Sequence, residues 1–155
     1  MNESMRRKDR KIDDDQALEI LYRGEYGVLS MCTTGGEGYG VPLNYVLWNN
    51  NIYFHCAVEG SKLNYIKNNN KVSFCVTGNT KILPSEFGTI YESTVVSGSA
   101  FFVEGDEKRE ALMKLIEKYS ADYIREGADY IDKFIDKTHV IKIAINSISG
   151  KSRKK

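Results

Sequence analysis

The sequence predicts a mainly β domain with some α (α+β), built as a six-stranded antiparallel barrel with peripheral helices. Three observations carry that expectation. Short runs of β-forming residues recur from Gly27 onward with turn-forming segments between them. A helically spaced stretch falls just before the last of these runs. Strands and helices do not otherwise alternate, which excludes a doubly wound parallel sheet. With 155 residues, the chain is long enough for one domain with its own core and too short for two of typical size. A single domain over 1–155 is therefore expected, with residues 1–11 and 152–155 as basic, solvated tails.

The elements follow in order. Asp13 or Asp14 can cap a short helix whose Ala17, Leu18 and Leu21 share one face, and Gly24 supplies a stop. Then come "GVLSMCT" (27–33), "YGVPLNYVLW" (39–48), "NIYFHCA" (51–57) and "KVSFCVTG" (71–78), read as strands. The turns "TTGGEG" and "NNN" separate the first three into a meander. "YESTVVSGSAFFVEG" (91–105) is a long strand, and Gly98 in its middle suggests a bulge or bend. Asp106 is expected to cap a helix carrying Leu112, Leu115, Ile116 and Tyr119 on one face. Tyr130, Ile131, Phe134 and Ile135 continue the helical spacing, which gives two helices with Gly127 between them. "THVIKIAINSISGK" (138–151) closes the chain as a strand with one buried face.

Composition narrows the function. Hydrophobic residues make up 41% and charged residues 28%, with a formal net charge of +1, so no global field draws the chain to nucleic acid. The longest apolar runs are a few residues and the N-terminus is charged, so neither a membrane span nor a signal peptide is expected and the protein reads as cytoplasmic. Cys32, Cys56 and Cys75 are odd in number and never form a C-x-x-C pair, which argues for free thiols in strands and against a zinc site. "GYGVPL" (38–43) lacks the third glycine of a dinucleotide fingerprint and lies within a strand. Phosphate-loop, zinc-protease and nucleophile-elbow motifs do not occur.

Three segments remain. In "EGSKLNYIK" a helix would begin at Gly60 and Ser61 with Lys62 in its first turn, where free backbone N–H groups, a hydroxyl and an ammonium suit a phosphate monoester. The plainer reading is a loop glycine, a serine cap and a solvated lysine. His55 shares its strand with Phe54 and Cys56 but faces the other way; it is either hydrogen-bonded at a strand end or a neutral imidazole able to meet a ring heteroatom or pass a proton. "VPLNY" (41–45) puts Pro42 in a strand, which suits a kinked edge strand or a backbone turned toward a planar ligand, with Leu43 for apolar contact and the Asn44 amide for donor and acceptor pairing.

Several segments together resemble a known family. "MRRKDR", "YGVPLNY", "IYFHCAVEGSKLNYIKNNNKVSF", "YESTVVSGSAFFVEGDEKREAL" and "HVIKIAINSISGKSR" resemble the FMN-binding split-barrel superfamily of pyridoxamine 5′-phosphate oxidase, most closely its 5-nitroimidazole reductase (Nim) branch. The resemblance implies a split barrel and a homodimer with two FMN molecules in clefts lined by both chains. It would run Val41, Pro42, Leu43 and Asn44 beside the isoalloxazine and His55, Cys56 and Ala57 beside the ring and ribityl chain. Ser61 and Lys62 would hold the phosphate, Ser93 would approach the flavin edge, and Lys151 would reach the site from the last strand. His55 is the catalytic candidate. The oxidase itself uses an arginine and a lysine at the phosphate, and here Ser61 stands in the arginine position. Its C-terminal substrate-binding arginine motif is not reproduced in "SGKSRKK", so oxidation of pyridoxamine phosphate is not implied.

The expected function is an FMN-dependent oxidoreductase taking electrons from a donor such as NAD(P)H and passing them to a small planar acceptor such as a 5-nitroimidazole, with no metal, nucleic acid or membrane partner. The alternative is a flavin- or haem-binding module of the same fold without turnover, in which His55 could ligate haem iron.

Overall fold

Of the two caps the sequence offers, Asp13 opens the first helix: its carboxylate accepts from the Gln16 backbone N–H at 2.8 Å, while the Gln16 side chain accepts from the Asp13 N–H at 3.2 Å. This reciprocal capping box starts α1 (Asp14–Arg23), which buries Ala17, Ile20 and Leu21. The computed structural model describes residues 4–154. Parts of both expected tails, Met1–Glu3 and Lys155, lie outside the described residues.

The expected six strands are eight: β1 (Lys11–Ile12), β2 (Gly27–Cys32), β3 (Gly38–Leu43), β4 (Val46–Trp48), β5 (Asn51–Ala57), β6 (Lys71–Leu83), β7 (Gly88–Val103) and β8 (Thr138–Arg153). The run 39–48 divides because the chain leaves β3 at Asn44 and pairs again as β4 with β5. All pairings are antiparallel, in the order β3-β2-β6-β7-β8-β5-β4 with β1 beside the end of β8, and the hydrogen-bonded path does not close between β3 and β4. Lys11, Ser152 and Arg153, read as parts of the tails, are strand residues instead. Register holds them: Lys11 pairs with Lys151, Glu92 with Ser152 and Tyr91 with Arg153. The expected irregularity at Gly98 is present, since the β7–β8 register shifts between Ser97 and Gly98.

Three further helices complete the chain: α2 (Ser61–Asn68), α3 (Gly105–Tyr119) and α4 (Ile124–Phe134). The residue before α3 is Glu104, and Asp106 sits in the first turn rather than at the cap. Gly127 does not separate the last two helices. It lies inside α4, where a Cβ would press on the Ile116 side chain of α3, so the glycine permits helix contact, and the break falls at Ser120.

Alternation along the strands divides the residues between two cores. Leu29, Phe74, Val96, Ala100, Phe54 and Ile141 point inward onto α1 and α2. Tyr53, Val103 and Val140 point outward beneath Ala111, Leu112 and Leu115 of α3 and Ile131 of α4. Glu107 fastens α3 to this outer face by accepting from the Tyr53 hydroxyl at 2.7 Å and the Lys142 ammonium at 3.0 Å. On the same outer face, among the described residues, no helix packs on the surface formed by β3, β2, β6 and the adjoining parts of β7 and β8. This surface presents small and apolar groups, including Val28 and Val95, which are 37% and 41% exposed.

Candidate functional site

The junction of β5 and α2 is built by the alternation of β5. Ile52, Phe54 and Cys56 are drawn into the inner core, which leaves His55 and Ala57 on the opposite face. The chain then passes through Gly60 at φ +140° and ψ 160°, a conformation that a side chain would oppose. α2 begins at once, with no side-chain cap and no acidic residue in its first turn. Its leading N–H groups therefore remain available, beside an exposed Ser61 and a half-buried Lys62. Leu63 and Ile66, buried in the inner core, hold the helix in place.

Electrostatics tie this corner together. Part of the His55 ring meets solvent, yet the atoms packed around it lower its pKa, and the Lys62 charge lowers it further. Both effects favour the neutral imidazole. Burial raises the Cys56 thiol, with Lys62 opposing, so Cys56 is a protonated core residue rather than a nucleophile. All three cysteines are free.

The other predicted residues fall in two further places. Val41 and Leu43 pack against the inner core, while Pro42, opposite Val28 on the edge strand β3, faces outward. Asn44 is already engaged: its amide donates to the Glu25 carbonyl at 2.9 Å. Ser93 and Lys151 are cross-strand partners near the far end of β8, whereas His55 pairs with Val140. From residue 140 to 151 is 11 residues, or about 35 Å of extended chain. One chain thus brings His55, Ala57, Ser61 and Lys62 together and leaves Ser93 and Lys151 remote.

A cleft of about 820 Å³ between the end of α1, the β3–β4 connection and the end of α3 escaped the sequence reading. In it, the Lys118 ammonium donates to the Tyr45 carbonyl at 2.8 Å and lies 3.9 Å from the centre of the Tyr45 ring. The Tyr119 hydroxyl accepts from the Tyr45 N–H at 3.0 Å and lies 2.6 Å from the Glu25 carbonyl. Burial pulls Lys118 down to about 8. The sequence shows Tyr119 only as part of an apolar helix face with Lys118 beside it, and nothing local signals the carbonyls they serve.

An antiparallel sheet with helices on both faces and an uncapped helix start at one corner defines an α+β fold. The chain belongs to the pyridoxamine 5′-phosphate oxidase family, whose model matches residues 13–152. No curated protein matches it. Similar solved structures include a proposed 5-nitroimidazole antibiotic resistance protein from Bacteroides thetaiotaomicron, 23% identical over 91% of this chain and 85% of that one, with a TM-score of 0.72. An FAD-binding protein from Mesorhizobium loti is 20% identical over 94% and 98%, with a TM-score of 0.67. An FAD and haem binding protein from Mycobacterium smegmatis is 15% identical over 94% and 74%, with a TM-score of 0.83. At these identities the likeness is one of fold. Among the described residues, no helix is long and apolar enough to cross a membrane.

Proposed function

We propose that the protein is a cytoplasmic, homodimeric, FMN-dependent oxidoreductase of the nitroimidazole-reductase type. The observation that carries this reading is the uncapped start of α2 after Gly60, with Ser61, Lys62 and a neutral His55 around it. This donor set fits a phosphate monoester: first-turn N–H groups, one hydroxyl and one ammonium. Flavin-binding proteins among the structural neighbours support the choice of ligand.

When bound, FMN supplies the redox chemistry, taking electrons from a donor such as NAD(P)H and passing them to a small planar acceptor such as a 5-nitroimidazole. The chain's own residues bind and orient. Ser61 and Lys62 grip the phosphate, and Ala57 and the outward face at Pro42 leave room for a flat ring. Val41, Leu43 and Cys56 pack in or against the inner core behind these strands, and Asn44 keeps its carbonyl oxygen as an acceptor. His55, held toward its neutral form, would offer a ring N–H as a hydrogen-bond donor to the acceptor. Ser93 and Lys151 serve the site across a two-fold axis, where the bare outer face of one chain meets that of its partner.

A second reading is a haem- or flavin-binding module without turnover. Its support is His55 itself, an outward-facing neutral imidazole able to ligate iron, together with the haem-binding neighbour.

The absorption spectrum of the freshly purified protein tests these readings: flavin bands support the first, and a Soret band supports the second. Lys62→Ala should weaken FMN binding about tenfold or more, as loss of a charge-assisted contact requires, and Lys62→Arg should restore most of it in a fluorescence titration. Unchanged affinity in Lys62→Ala would remove the phosphate from this corner. NADH oxidation that quickens when a nitroaromatic is added separates the enzyme from a passive binder.

A further inference from the structure

At the end of the sheet away from α2, β1 sets Lys11 directly opposite Lys151 of β8. Both line a groove of about 700 Å³ on the outer face. Like charges opposed on antiparallel strands repel each other, and among the described residues neither ammonium belongs to a salt bridge. Asp14 lines the same groove without pairing to either lysine. The floor is neutral and rich in hydroxyls. Ser93 faces Lys151 across the β7–β8 pair, Ser97 faces Ser147, and Ser149 sits opposite Val95. None of these four hydroxyls is bonded to another protein group among the described residues, whereas the neighbouring Ser99 hydroxyl accepts from Lys71.

Two ammonium groups at the Ser93 end of this floor, with the free Ser93 and Ser149 hydroxyls and an apolar valine beside them, suit one oxyanion attached to a small carbon body. A carboxylate there would relieve the repulsion that the strand register imposes. We infer that Lys11 and Lys151 form a carboxylate-binding site, and that its ligand is a small carboxylate-bearing electron acceptor. The second half rests on the flavin reading above; the first half does not.

The probes are 4-nitrobenzoate and its neutral counterpart 4-nitrobenzamide, titrated calorimetrically into the full-length protein as purified and again after loading with FMN. The unaltered protein should bind the carboxylate about tenfold more tightly than the amide. Lys11→Gln should bring that ratio close to one, and Lys11→Arg should keep most of it. Competition by benzoate but not by benzamide makes the same test without any substitution. Equal affinity for the two probes, or a ratio indifferent to Lys11→Gln, overturns the site. Preference for the carboxylate in a protein that takes no FMN upholds the site and overturns the assignment of its ligand as an electron acceptor. FMN binding without any such preference leaves the flavin reading standing and removes this one.

Discussion

Lys118 shows how a single residue can be costly and still hold a structure together. Its ammonium ties the end of α3 to the Tyr45 carbonyl, but burial lowers its pKa from 10.5 to about 8. Between those values the unfolded chain binds more protons than the folded one, so stability rises with pH across that window. The urea-unfolding free energy of the native chain minus that of Lys118→Met should therefore increase from pH 8 to pH 10.5, and a flat difference would show that the amine is not desolvated. His55 works in the same sense at lower pH. Its depressed pKa makes folding less favourable as pH falls through the ordinary histidine value near 6.5. At this scale residue type and spacing place His55, Ser61 and Lys62 at one strand–helix junction, and that is where they lie. Lys11 was not legible, because a lysine in a basic stretch looks solvated until a partner strand is known.

At the scale of elements, boundaries are legible in the sequence where local chemistry sets them. The Asp13 capping box and the stop at Gly24 belong to this class, and Asp13→Ala should lower stability by about 1 kcal/mol, measured by urea denaturation with the flavin corner unchanged. The helix after Gly60 also began where expected, since only a glycine accepts that backbone turn readily. The division of 39–48 into β3 and β4 was not legible, because both halves are equally β-forming and the break depends on which strand each half pairs with. Gly127 misled for a related reason: a glycine inside a helix looks like a stop until the Ile116 side chain against it is seen.

At the scale of the whole molecule, one sheet separates two cores, and α3 and α4 cover only part of its outer face. The two-chain site proposed above uses this uncovered part as the meeting surface, with Ser93 and Lys151 of one protomer serving the corner at His55 and Lys62 of the other. Val28 lies in this bare region between Pro42 and Cys75. Val28→Glu should leave the circular dichroism of the fold unchanged, because the side chain already faces outward. It should also shift the protein toward monomer in sedimentation velocity and weaken FMN binding in step. A tightly flavin-loaded monomer would sink the two-chain site.

By itself the sequence determined the class of the fold, the start of α1, the bulge region at Gly98 and the residue types gathered at the start of α2. Each of these depends on interactions within a few residues, or on an alternation that any strand must obey. Tertiary structure alone decided that the strands number eight, that both ends of the chain join the sheet, that Lys11 lies opposite Lys151, and that Asn44 spends its amide on Glu25. Those outcomes depend on register between segments distant in sequence, and a one-residue slip in register would exchange the two faces of a strand.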